Sequence, residues 1–415
     1  MMKELYKGWE VYSLQNEWIR LLIAPQLGGR IMQLDFKGYE FFFVNPALEG
    51  ETSNACGCEW MNYGGEKIWP APQGWESPEC WPGPPDPVLD GGNYTASALA
   101  GSAISLVSPP DDFTGLQIHR DILIDPSEPQ VSIDVRFENK SDVLRRWAVW
   151  PVVQMKAEED DCHVIVPLSL HSSFQEGYKV MHGLVNNPQN RVDGNRLIVT
   201  YQYVIGKVGA DTKDGWVAFC DKTSGKVFVM SFDYEEGECY PDNTSVQVWT
   251  QGRGTIYSRN VIKDAINDKV LNPPYLEIEL LSPLKDIAPL SSIRFTYHMR
   301  TCTIPVGETV VRILGTAIIA APLKLTVKGG RLMISGKYGF FCSGTVIVRY
   351  ENYDIPEDKN SVCKKIWPVS PMQGIEIETY FPCNARRSQH PVGKAYIEFE
   401  NKMNKSVQLI ESMEL

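Results

Sequence analysis

No apolar run in this chain approaches the roughly eighteen to twenty residues that a membrane-crossing helix needs. The nearest stretch, Val310–Leu325, is broken by Arg312, Gly315 and Pro322. The opening residues from Met1 to Trp9 lack the apolar core of a signal peptide. A cytoplasmic protein with no membrane partner is therefore expected. Excess positive charge is also missing: 40 basic residues face 51 acidic ones, for a formal net charge of −11. That balance argues against nucleic-acid partners, which are held by net positive surfaces. The ten cysteines are scattered, and only Cys56 and Cys58 lie close together. A lone C-x-C is poor support for zinc, and the six histidines show no metal-ligand spacing. No P-loop, dinucleotide fingerprint or G-x-S-x-G elbow is present. Neither a cofactor nor a metal is expected, and the cysteines read as reduced, buried small residues.

Helical periodicity is scarce, and period-two alternation fills the space it leaves. In Gly115–Ile124 the residues Leu116, Ile118, Ile122 and Ile124 share one face, and Gln117, His119 and Asp121 share the other. Val131, Ile133, Val135 and Phe137 alternate in the same way. Further strands are expected at Arg30–Phe36, Arg145–Met155, Ser245–Thr250, Tyr275–Leu281 and Ser292–Thr301. Short helical turns are expected only near Val261–Asp268. Strands bounded by Gly, Pro, Asn and Asp, without long crossovers, predict an all-β antiparallel sandwich. Thr303–Gly307 reads as a linker. A large β domain over residues 1–302 and a small β-sandwich over 303–415 follow.

One long stretch, Pro46 to Gly92, reads as an ordered loop rich in Trp, Pro and Gly. Within it, Asn62 to Trp75 mixes Asn62, Tyr63, Glu66, Lys67, Trp69 and Gln73 with two glycines. Amides and charges suit sugar hydroxyls, and aromatic rings cover a sugar's C–H face, so a carbohydrate or sugar derivative is the expected ligand. Arg30 and Arg120 sit among apolar neighbours and each needs a carboxylate or a ligand. Trp150 and Gln154 share a strand face, and so do Tyr275, Glu277 and Glu279. Alternate Cβ atoms on a strand lie about 7 Å apart, so enclosed carboxylates at 277 and 279 would split their pKa values. His119, beside Gln117 and Asp121, is the histidine chosen for acid–base work, with a nearby carboxylate expected to raise its pKa.

Ala24-Pro25-Gln26-Leu27-Gly28-Gly29-Arg30-Ile31 and the Asn62–Trp75 tract together resemble an uncharacterised family of the galactose mutarotase-like superfamily. Gly115–Asp121 with Trp150 and Gln154, and Tyr240-Pro241-Asp242 through Tyr275–Glu279, extend the resemblance to residues 5–300. It implies a large antiparallel supersandwich with a sugar cleft on a concave sheet. In mutarotases a His is the general acid and a Glu the general base; their usual histidine motifs are not found here. Mapped onto this chain, Glu277 or Glu279 is the base and His119 the acid. Arg30, Asn62, Tyr63, Glu66, Lys67, Trp69, Gln73, Arg120, Trp150, Gln154 and Tyr275 are the binders. Two alternatives use the same cleft. One is a lyase acting on uronate glycans, and the other a carbohydrate-binding or interaction protein without catalysis.

Overall fold

Period-two alternation places one side chain in the core and the next outside it, and the backbone follows this rule strand after strand. The computed structural model describes every residue except 1, 53–59, 75–76, 78, 259–260, 330, 354–361 and 383–391. Trp75, Cys56 and Cys58 fall outside the described residues. Two compact units form. One holds Met1–Phe219 and Val229–Arg300, and the other holds Cys220–Phe228 and Thr301–Leu415. Among the described residues no helix is long and apolar enough to cross a membrane.

The first unit is built on two large sheets. The larger runs in spatial order through Met2–Tyr6, Trp9–Gln15, Ile19–Ala24, Arg30–Phe36, Glu66–Ala71, Arg145–Lys156, Tyr275–Leu280, Val246–Thr250, Gly206–Ala210 and Lys179–Gly183. Its ladders are antiparallel. In the second sheet Leu116–Ile124 pairs with Gln130–Asn139, which pairs with Ser292–Thr303. The alternating apolar set Ile118, Ile122, Val131, Ile133, Val135 and Phe137 is fully buried, as the pattern requires. The second unit carries its own two four-stranded antiparallel sheets around Leu332, Ile334, Tyr338, Val346, Val348, Ile397 and Phe399.

Two expectations need correcting. Val261–Asp264 is not helical; it pairs with Thr255–Ser258 as a two-stranded hairpin, in keeping with the β-branched pair Val261-Ile262. The stretch from Pro46 to Gly92 is not all loop, because Glu66–Ala71 is an interior strand of the larger sheet. Pro70 obscures it in the sequence, since proline argues against a central strand. The neighbouring Arg30–Phe36 strand meets Glu66–Ala71 only at Ile31 opposite Glu66, which leaves most of one edge free of a ladder and able to accept proline. Gly64 and Gly65 lead in at φ 94° and 70°. A Cβ at Gly64 would stand 2.1 Å from the Phe43 carbonyl oxygen, so only glycine fits this approach.

The sheets are pinned together by buried charge. Glu66, from the larger sheet, receives the Arg120 guanidinium through Oε2 and the Tyr297 hydroxyl, at 2.5 Å, through Oε1. Arg120 also donates to the Gly29 carbonyl at 2.5 Å. Glu66, Arg120 and Tyr297 are all fully buried. Arg120 and Glu66, expected from the sequence to bind ligand, instead face each other in the core between the sheets. They pair with each other there, while Arg120 Nε has no hydrogen-bond partner among the described residues. Removing one partner of such a pair leaves an uncompensated buried charge, at a cost of about 3–5 kcal/mol. Glu66→Ala should lower unfolding free energy by about that amount in urea titration. Replacing both Glu66 and Arg120 with Met should cost less than the single change. A single variant as stable as wild type would contradict this role.

Candidate functional site

Because Glu66 points between the sheets, Lys67 and Trp69 point to the opposite face of the larger sheet. Strand register carries that face sideways. Trp69 lies opposite Trp150, and Gln154 opposite Glu277. Glu277 lies opposite Trp249, and Trp249 opposite Lys207. Tyr275, Glu277 and Glu279 thus share one face, as the alternation predicts. Tyr275 and Glu277 line a cavity of about 880 Å³, while Glu279 is fully buried and outside its lining. Its lining includes Trp60, Trp69, Trp150, Lys207, Trp249 and Glu277.

Glu277 and Lys207, in the lining, belong to a row of four charges with the buried Lys67 and Glu279. Lys67 Nζ lies 3.4 Å from Glu277 Oε1, and Gln154 Nε2 donates to the same oxygen at 2.7 Å. Lys207 Nζ lies 2.9 Å from Glu279 Oε2, which also accepts Trp150 Nε1–H at 2.8 Å. Each lysine is stacked on an indole as well. Lys67 is 4.5 Å from the Trp69 ring centre, and Lys207 is 4.8 Å from that of Trp150, within cation–π range. Burial pushes the Glu279 carboxyl pKa up, against the pull of Lys207, and the charge of Glu277 adds to the rise. Burial likewise holds the Lys67 ammonium pKa below its usual value, against the pull of Glu277. Tyr275 is raised well above the ordinary phenol by burial and by Glu277.

The row is not self-sufficient. Glu279 Oε1 and Gln154 Oε1 are buried acceptors without a hydrogen-bond partner, each costing about 1–3 kcal/mol. Glu277 lines the cavity with its side chain 11% exposed. Among the described residues its hydrogen bonds fall on Oε1, which leaves Oε2 for a ligand.

The upper wall depends on Asp90. Its carboxylate accepts Trp69 Nε1–H at 2.8 Å and Trp60 Nε1–H at 3.1 Å, and Arg30 pairs with it at 2.6 Å. Arg30 is fully buried and also donates to the Gly64 carbonyl. It neutralises the residue that orients two indoles and does not line the cavity, which corrects its expected role as a binder. Tyr63 is likewise a core residue, edge-on to Trp9 within an apolar cluster. Asn62, which does not line the cavity, offsets part of the Tyr275 rise through a side-chain hydrogen bond. Gln73 lines the cavity and is exposed.

His119 is not brought to this cluster. Its neighbour Arg120 turns inward, so the ring lies on the outward face of the second sheet, 3.0 Å from Glu138. Its pKa is lowered, by partial burial and then by Arg136, where a rise was expected. Glu138 already serves Arg136 and Lys140 and offsets the burial only in part. Sequence reading missed Lys207, Gln247, Trp249, Gln251 and Asp90, and it passed over His182. The wall histidine is His182, stacked on Trp249 at 5.7 Å with its Nε2 2.6 Å from the Thr255 carbonyl oxygen. Extending the alternation of Ser245–Thr250 would have exposed Gln247 and Trp249; Gly206–Ala210 is too short and glycine-rich to announce Lys207. Among the described residues no cluster of three His, Cys, Asp or Glu side chains suits a metal ion.

Fold and site together define an antiparallel two-sheet sandwich with an aromatic, charge-paired cleft on the outer face of its larger sheet. The chain belongs to the family described as Domain of unknown function (DUF4380), whose model matches residues 10–294. No curated protein matches it. Among solved structures, it is similar in fold to the Slr1438 protein of Synechocystis sp. PCC 6803. That likeness has 12% identity and a TM-score of 0.46, and it covers 73% of this chain and 100% of that one. A galactose mutarotase-like protein from Lactobacillus casei ATCC 334 is similar at 10% identity and a TM-score of 0.45, over 70% and 99% of the two chains. Another from Clostridium acetobutylicum gives 9%, 0.43, 73% and 98%.

The raised Glu279 makes stability depend on pH with a defined sign. Below the ordinary value of 4.5 both folded and unfolded states hold the proton. Above it the unfolded chain ionises first, so this group's contribution falls as pH rises, until Glu279 also ionises in the folded state. The unfolding free energy of wild type minus that of Glu279→Gln should therefore decline as pH rises from about 4.5. A flat or rising difference in denaturant titrations would contradict the assignment.

Proposed function

We propose that the cleft binds a neutral carbohydrate and that Glu277 is the base of an aldose-epimerase type of reaction at the anomeric centre. The observation that carries this reading is the state of Glu277. Its Oε1 is clamped by Lys67 and Gln154, and its Oε2 is left for a ligand in an indole-walled cavity. Such a site fits apolar walls with a few fixed polar groups. In the reaction, a base takes the anomeric hydroxyl proton while an acid protonates the ring oxygen. The ring opens, the aldehyde rotates, and the ring closes with either configuration. Lys207 and His182 are the proton-bearing side chains of the wall nearest in register to Trp249.

Neutrality of the ligand follows from the charge row. Lys67 and Lys207 each already face a carboxylate, so two cations and two anions cancel. A uronate carboxylate would have to displace Glu277 or Glu279 from its lysine. This disfavours the lyase reading.

The test is anomer exchange followed by NMR across a panel of aldoses. Wild type should accelerate exchange of at least one sugar. Glu277→Gln should lower kcat/KM by about 100-fold or more while binding persists. Bound sugar with no acceleration anywhere in the panel would reject the catalytic part. Unsaturated products from uronic polymers would favour the lyase.

A further inference from the structure

The cleft is too long and too symmetrically lined for one sugar ring. Its lining extends from Trp69 on Glu66–Ala71 to His182 on Lys179–Gly183. Between those strands lie Arg145–Lys156, Tyr275–Leu280, Val246–Thr250 and Gly206–Ala210. Five strand steps at roughly 4.8 Å each make about 24 Å. A pyranose ring covers about one to two such steps. Glu277 is on the second strand in from the Trp69 side and has open wall on both flanks.

Each flank ends in an aromatic group. On one side Trp60, 38% exposed, leans on Trp69 at 6.3 Å and is fixed by Asp90. On the other side Trp249 and His182 stack nearly parallel, at 19°. Both pairs are locked by hydrogen bonds: Trp249 Nε1 donates to Gln251 Oε1 at 3.0 Å, and the His182 ring meets the Thr255 carbonyl oxygen. Rigid platforms of this kind bind at low entropic cost. The side chains of Ile256 and Lys263, from the hairpin, continue the wall on the Trp249 side. One ring over Glu277 cannot cover the whole aromatic wall, whereas linked rings extending from it toward His182 can.

We infer that the cleft takes a neutral oligosaccharide of several linked units, its reducing-end unit over Glu277 and the following units carried along the Trp249–His182 platform. The inference rests on the carbohydrate reading of the cleft and specifies its substrate class.

Calorimetric titration of the full chain with gluco-, xylo- and manno-oligosaccharide ladders, from monosaccharide to pentasaccharide, tests it. The dissociation constant should fall by about tenfold or more from monosaccharide to tetrasaccharide in the ladder that binds. Trp249→Ala and His182→Ala should each flatten that dependence on length, and Trp249→Phe should restore part of it. The wild-type ladder decides the matter even if a variant fails to fold. Equal affinity for monosaccharide and tetrasaccharide overturns the inference and leaves the carbohydrate reading intact. Absence of binding by every member, monosaccharides included, overturns both.

Discussion

Glu66 and Lys67 are adjacent on one interior strand and point in opposite directions, and the rest of the structure depends on that opposition. Glu66 crosses the core to Arg120 and Tyr297 and fixes the second sheet against the first. Lys67 faces outward to Glu277 and Trp69. Strand pleating forces the two roles to be set together. A one-residue slip of this strand would put Lys67 in the place of Glu66 beside Arg120, or, in the other direction, Glu66 in the place of Lys67 beside Glu277. Both encounters would be between like charges in a dry environment. The buried pairs therefore specify register at least as much as they add stability.

Outside the core, the same economy recurs. The indoles of Trp69 and Trp150 serve as walls, as cation platforms for Lys67 and Lys207, and as hydrogen-bond donors to Asp90 and Glu279. Asp90 needs Arg30 behind it to be tolerated in burial, which explains why an arginine is placed at the start of the neighbouring strand. The result is a stiff cleft whose charges cancel. Among the described residues, two buried acceptor oxygens beside it, on Gln154 and Glu279, remain unpaired. Preorganised polar groups in a water-poor site act more strongly on a bound ligand than exposed ones do.

The fold class was legible because alternation in strands such as Leu116–Ile124 and Gln130–Asn139 is strict. The face shared by Tyr275, Glu277 and Glu279 was legible for the same reason. What alternation does not reveal is which of a sandwich's outer faces carries a cleft. His119 and Glu277 both lie on polar strand faces, yet they belong to different sheets. The buried arginines show the complementary limit. Their need for a partner could be read from their apolar neighbours, but whether Asp90, Glu66 or a ligand met that need could not. Tertiary pairing across 54 residues for Arg120 and 60 for Arg30 decided it. Pro70 hid a central strand because the ladder it would have broken is absent.

The most direct measurement is a crystal structure of the full chain soaked with a neutral sugar selected by titration. The account predicts sugar hydroxyls about 2.6–3.2 Å from Glu277 Oε2, with rings lying against the cleft's aromatic walls. A sugar bound elsewhere, with Glu277 unchanged and uncontacted, would contradict it.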